Sequence, residues 1–138
     1  MEHRDRLRTL RIRTQHLWRD ALKERLGTFP LWDANEVVDH LKGVPTMAAD
    51  TLCQQLAEQG FLLELIWGDE LRYPAFMVAG GEVFEEMPKL ISLINQRLDN
   101  ELDRYLWLTQ YQMELNSVPA ELLSSREGRL LLMAFLTE

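Results

Sequence analysis

Residues 60–76 read GFLLELIWGDELRYPAF, and the fold turns on this stretch. Phe61 to Trp67 is apolar at Phe61, Leu62, Leu63, Leu65, Ile66 and Trp67 and reads as a strand. Gly68-Asp69 is the two-residue turn of a hairpin. Leu71 to Tyr73 is the returning strand, and Pro74, with no N–H to donate, closes it. Ala75 to Val78 is expected to continue as extended chain up to a turn at Gly80-Gly81.

Upstream of the hairpin the pattern is helical. Asp33 with Glu36 three residues on is the signature of a capping box, opening a helix from Ala34 to Lys42 with Val37, Val38 and Leu41 inward. Leu31 and Trp32 are placed to pack back on it. Gly43-Val44-Pro45 makes a tight turn, and Thr46 is the expected cap of a second helix, Met47 to Gln59, that buries Leu52, Cys53 and Leu56 and stops at Gly60. Two helices around a short turn followed by a hairpin form a small winged helix-turn-helix-like unit. Residues 4–26 carry Leu7, Leu10, Leu17, Trp18, Ala21, Leu22 and Leu26 at helical spacing without Pro or Gly, so a basic amphipathic helix is expected there, ended by Gly27. Its apolar stripe needs a surface to cover it, and a homodimer is the expected means.

Downstream, Leu90, Ile91, Leu93, Ile94 and Leu98 fall at core spacings in a helix opened by Met87-Pro88. Asn100 or Asp99 caps the next helix, Glu101 to about Gln112. Val118-Pro119 leads into a short helix, Ala120 to Leu123, and Ser124 or Ser125 caps a final apolar helix. The fold class is mainly α, in three stretches. Residues 1–27 are the basic helix, 28–82 the helix-turn-helix-like part with its hairpin, and 84–138 a C-terminal helical domain.

Charge divides the same way. Residues 1–27 hold eight Lys/Arg against four acids, a net +4, and the other 111 residues hold seven against eighteen, a net −11. A basic arm on an acidic body suits phosphate contacts, docking on an acidic partner, or pairing with its own body. Cys53 is the single cysteine, which excludes an internal disulfide and fits a reducing compartment. No apolar run is long enough to span a bilayer and the first residues carry no secretory pattern, so the expected location is cytoplasmic, with no membrane partner.

Catalytic chemistry finds no foothold. His3, His16 and His40 are scattered, and none has a Cys or second His at metal-ligand spacing. Cys53 sits between apolar neighbours and reads as a small buried hydrophobe. Glu85-Glu86 and Asp99, Glu101 and Asp103 read as solvated or helix-capping acids rather than an acid/base pair, and Gly80-Gly81 lacks the Lys and Ser/Thr of a phosphate loop. No enzyme, no metal and no cofactor is expected. A DNA reader would use Gln54 and Gln55 toward base edges, with Arg4, Arg8, Arg11 and Arg72 on phosphates. Thr46 to Gln59 itself carries no Lys or Arg.

Two segments resemble a known family. Tyr73-Pro74-Ala75-Phe76, the turn Gly81-Glu82-Val83, Trp107-Leu108, Leu115 and Pro119-Ala120-Glu121-Leu122-Leu123 follow the order of motifs in the toxin-binding antitoxins named for their Xre, MbcA and ParS members. Trp32 to Val38 is similar to that family's lead into its helix-turn-helix. The chain departs from the pattern at Met77, where Gln is usual, and at Asn116-Ser117-Val118, where Gly is usual. It departs again across Thr109 to Met113, where Pro is common.

The resemblance implies a bacterial antitoxin that neutralises a NAD-consuming toxin of the RES type, forms dimers or higher oligomers and represses its own operon. It places the toxin contact in the C-terminal helical domain, which Trp107, Leu115, Pro119, Leu122 and Leu123 mark. With the charge map and the apolar anchors, the expected partner-binding residues are Tyr105, Tyr111, Met113, Glu114, Leu115, Pro119 and Glu121, with Tyr111 the strongest anchor. The competing readings are a stand-alone winged helix-turn-helix transcription regulator and a non-enzymatic oligomeric adapter.

Overall fold

The structure, a computed structural model, describes residues 22–138. Arg4, Arg8, Arg11 and most of the expected N-terminal helix lie outside the described residues. The chain forms α1 (Lys23–Thr28), β1 (Leu31–Trp32), α2 (Ala34–His40), α3 (Ala49–Glu58), β2 (Leu65–Trp67) and β3 (Glu70–Pro74). A 3-10 helix, Ala75–Gly81, then leads to α4 (Met87–Arg97), α5 (Glu101–Leu108), α6 (Pro119–Leu122) and α7 (Arg126–Thr137). The protein is mainly helical, with a small N-terminal sheet and a C-terminal helical region.

Three of the caps legible in the sequence are in place, at Asp33, Asn100 and Ser125. The Glu36 N–H donates to Asp33 Oδ1 at 2.8 Å, and the Asp33 N–H donates to Glu36 Oε1 at 3.1 Å. Asn100 Oδ1 accepts from the amides of Leu102 and Asp103, and Ser125 Oγ from Gly128. The hairpin is antiparallel, pairing Leu65 with Arg72 and Trp67 with Glu70. The returning strand also pairs with β1, Trp32 opposite Tyr73, so the sheet order is β1-β3-β2. A strand, two helices and a hairpin follow one another in this order.

Several boundaries differ from the expectations, each for a local reason. Gly27 does not stop its helix. α1 runs on to Thr28 and ends where Phe29, restricted by Pro30, leaves helical backbone at φ −125° and ψ 76°. α2 ends at His40, because Leu41 is already extended at ψ 140°. Thr46 caps nothing, since α3 begins after Ala48 and residues 41–48 all go into the connector. The strand expected over Phe61–Trp67 keeps only its last three residues. Leu62 and Leu63 are both buried, and a pleated strand cannot turn consecutive side chains to one face. Ala75–Val78 is not extended but coils into the 3-10 helix, which puts both Met77 and Val78 inside. α5 stops at Leu108 rather than near Gln112, where Thr109 Oγ1 turns back to donate to Tyr105 O at 2.7 Å.

One buried core draws on both halves of the described chain. Val37, Cys53, Leu63, Tyr73 and Met77 belong to the same cluster as Leu90, Ile94, Leu108, Leu123 and Leu132. Gly81 permits one close approach: a Cβ there would lie 2.8 Å from His40 O, and its φ of +83° favours glycine. No helix among the described residues is long and apolar enough to cross a membrane.

Tyr73 is 2% exposed at the junction of sheet and core. Tyr73→Ala is expected to lower unfolding free energy by about 3–5 kcal/mol, read by thermal or urea denaturation. Residues 84–138 expressed alone should give an unfolded or molten chain by circular dichroism, because the core partners from 34–78 are gone.

Candidate functional site

The ten residues 109–118 join α5 to α6 and carry the most exposed apolar side chain of the described residues. Their backbone is pinned. The Gln112 N–H donates to Ser117 O at 3.0 Å across an isolated antiparallel bridge. The amides of Leu115 and Asn116 donate to Gln112 O and Met113 O, each at 3.1 Å. Asn116 takes a left-handed φ of +50°, a conformation asparagine tolerates better than most residues. Gln112 Nε2 donates to Trp107 O at 3.1 Å, tying the loop to α5. The Tyr111 hydroxyl donates to Asn116 Oδ1 across the loop. Leu115 packs down on the core.

This geometry sorts the expected partner-binding residues. Tyr105 is not at the surface: it is 2% exposed, and its hydroxyl donates to Phe29 O at 2.6 Å, closing α5 onto the end of α1. Burial pushes its pKa up to about 12, against a smaller opposing pull from Arg25. Pro119 is also buried, as the first residue of α6, and Leu115 is half-buried. Tyr111, Met113, Glu114 and Glu121 are exposed, with Met113 at 85%. Sequence reasoning missed Leu130 and Leu131 as surface residues. They are exposed on α7, in an apolar run too dense for periodicity to say which residues face out.

A groove of about 380 Å³ opens beside the loop. Trp107 and Phe135 line it, stacked with centroids 6.4 Å apart, together with Ile94, Leu98, Gln112 and Glu114. Arg97 also lines it, its Nη2 donating to Leu136 O and Glu138 O at 2.9 Å each. Leu131 lies one helical turn before Phe135, on the same side of α7. Apolar surface therefore extends outward from the groove.

Of the expected nucleic-acid residues, Gln54, Gln55 and Arg72 fall among the described ones. Gln54 and Gln55 are exposed on α3, whose other exposed side chains include Asp50, Thr51 and Glu58. Arg72 lies on β3, with its guanidinium paired to Glu70 at 2.5 Å. Among the described residues no group of three or more His, Cys, Asp or Glu is placed to hold a metal. Cys53 is fully buried, and burial lifts its thiol to about 11, far from a reactive thiolate. His40 stacks on Trp32 at 4.1 Å, its Nδ1 hydrogen-bonded to Glu36 O. Glu86, expected as a solvated acid, instead pairs inside with Arg129 at 3.1 Å.

No family model, curated protein or solved structure matches the chain. The separation of buried from presented residues is testable on the chain itself. Tyr105→Phe should lower stability by about 1 kcal/mol and leave partner binding unchanged. A folded-state pKa above the free value is a contribution present at low pH and lost as pH rises through it. The wild type should therefore lose stability between about pH 10, the ordinary tyrosine value, and about pH 12, and the Phe variant should lose less. Urea midpoints measured against pH check both points.

Proposed function

We propose that this protein is an antitoxin-like binding protein, without catalytic activity of its own, whose C-terminal half holds a cognate toxin. The observation that carries the reading is where exposed apolar surface lies. Six large hydrophobic side chains are exposed among the described residues, and Tyr111, Met113, Leu130 and Leu131 are four of them. They belong to the region in which the resemblance to the Xre, MbcA and ParS antitoxins puts the toxin contact. Apolar patches of this kind mark interaction sites. The loop is acidic: Glu114 and Glu121 are exposed and residues 105–125 contain no Lys or Arg, while Glu127 and Arg126 are both exposed on α7 before Leu130. A toxin that handles NAD binds an anionic cofactor and needs a positive cleft, so an acidic apolar face is its electrostatic complement.

Operator binding belongs to the same proposal in a secondary place. It draws on the helix pair α2 and α3 and on the arginines among residues 1–27, while the exposed face of α3 is acidic. A homodimer or higher oligomer is the expected form for it, and the intracellular compartment of its toxin the expected location.

The test is rescue. Co-expression of the full chain with a RES-type toxin, a neighbouring reading frame being the first candidate, should restore growth and cellular NAD, and the two should co-elute as a stable complex. A toxin that remains lethal and elutes alone would sink the proposal. A gel shift on the upstream DNA, lost between about 50 and 200 mM salt, would add the regulatory role.

A further inference from the structure

We propose that the loop 109–118 is a preformed insertion element. Met113 enters an apolar pocket on the partner protein, and Glu114 and Glu121 meet basic residues at that pocket's rim. This rests on the antitoxin-like reading and names the chemistry of the surface that must receive the chain.

Met113 is 85% exposed, whereas Leu71, Met47, Leu130 and Leu131 lie between 37% and 51%. A side chain held that far out packs on little of its own protein, and the loop beneath it is braced at several points. The bridge between Gln112 and Ser117, the turn bonds to Gln112 O and Met113 O, the left-handed Asn116 and the Gln112–Trp107 bond all constrain the backbone on either side. A loop ordered before binding loses less entropy on binding, so a single projecting side chain contributes more of its gross contact energy. Tyr111, the anchor expected from composition, has a different part. Its hydroxyl is engaged by Asn116 inside the loop, which makes it a brace. Methionine suits the projecting position because its flexible thioether adapts to pockets of irregular shape.

Charge selects the occupant. Glu114 and Glu121 are exposed, no Lys or Arg occurs from Tyr105 to Ser125, and Arg97, which lines the groove with Glu114, is turned to Leu136 O and Glu138 O. A second copy of this face would bring the same carboxylates, and a nucleic acid would bring phosphates, so both are repelled. A protein surface with basic residues around an apolar hollow satisfies the acids and the thioether together.

The experiment uses full-length chains and, as the probe, the immobilised RES-type toxin of the rescue test. Met113→Ser should bind at least about thirtyfold more weakly, mainly through faster dissociation, with an unchanged melting temperature. Met113→Leu should stay within about threefold of wild type. Glu114→Lys should slow association, and the wild-type association rate should fall as salt rises. Wild-type binding with Met113→Ser equally tight overturns the insertion and leaves the antitoxin reading standing. A wild-type chain that the toxin does not retain overturns both. If sedimentation shows that Met113→Ser abolishes self-association instead, the occupant is a second copy and the proposal is wrong.

Discussion

Five of the six residues Tyr73–Val78 are buried, and covering this short segment governs how the other elements are arranged. A pleated strand can hide alternate side chains against one layer. Burial of consecutive ones requires cover from more than one side, so the chain tightens into a 3-10 turn after Pro74 and is enclosed. α2 packs against both β3 and the 3-10 helix. Phe76, the half-buried member, meets Phe29 edge to face at 6.0 Å. β1 pairs with β3, and the Ala75 N–H donates to Pro30 O at 2.9 Å just beyond the paired strands. Side chains of α4, α5 and α7 complete the same cluster, which is why the two halves share one interior.

The C-terminal helices are held at their angles by two close approaches. Arg129 and Glu86 have side chains only 12% and 14% exposed, and they pair at 3.1 Å. Arg129 also donates to Leu123 O at 2.9 Å and lies over the Phe84 ring at 4.2 Å. Breaking such a pair leaves an uncompensated charge at a cost of about 3–5 kcal/mol, so the pair specifies one seating of α7. Gly128 adds the second constraint, because a Cβ there would fall 2.1 Å from Leu122 O. With α7 seated by these contacts, Leu132 and Leu136 point inward and Leu130 and Leu131 point out.

The acidic residues divide between structure and surface. Glu101 accepts the Ile66 N–H at 3.1 Å and so joins α5 to the hairpin, and Glu86 is consumed by Arg129. Glu64 has its pKa raised, first by burial and then by Glu101 and Glu58, so its charged form is held at a cost within the fold. Glu114 and Glu121 have no such internal role and stand free beside the loop. Four arginines of the described chain are engaged: Arg72 with Glu70, Arg97 with the last turn of α7, Arg104 with Leu98 O and Arg129 with Glu86.

Local chemistry in the sequence determined the helical class, the hairpin turn at Gly68-Asp69 and the caps at Asp33, Asn100 and Ser125. Each depends on residues within a few positions of one another, so each is legible without a fold. The resemblance and the charge map also marked Tyr111, Met113, Glu114 and Glu121, which the structure leaves exposed. Tertiary packing decided the rest. A two-residue strand such as Leu31–Trp32 has too few side chains for a period and exists only because β3 lies beside it. Phe61–Glu64 and Ala75–Val78 have apolar runs equally compatible with strand and coil, and enclosure by the helices chose coil. Tyr105 and Pro119 look like presented residues until α5 and α6 are folded down, because burial depends on what lies opposite, which no local pattern encodes. The same dependence separated Tyr111 from Met113: only a closed loop puts Asn116 within reach of one and leaves the other extended into solvent.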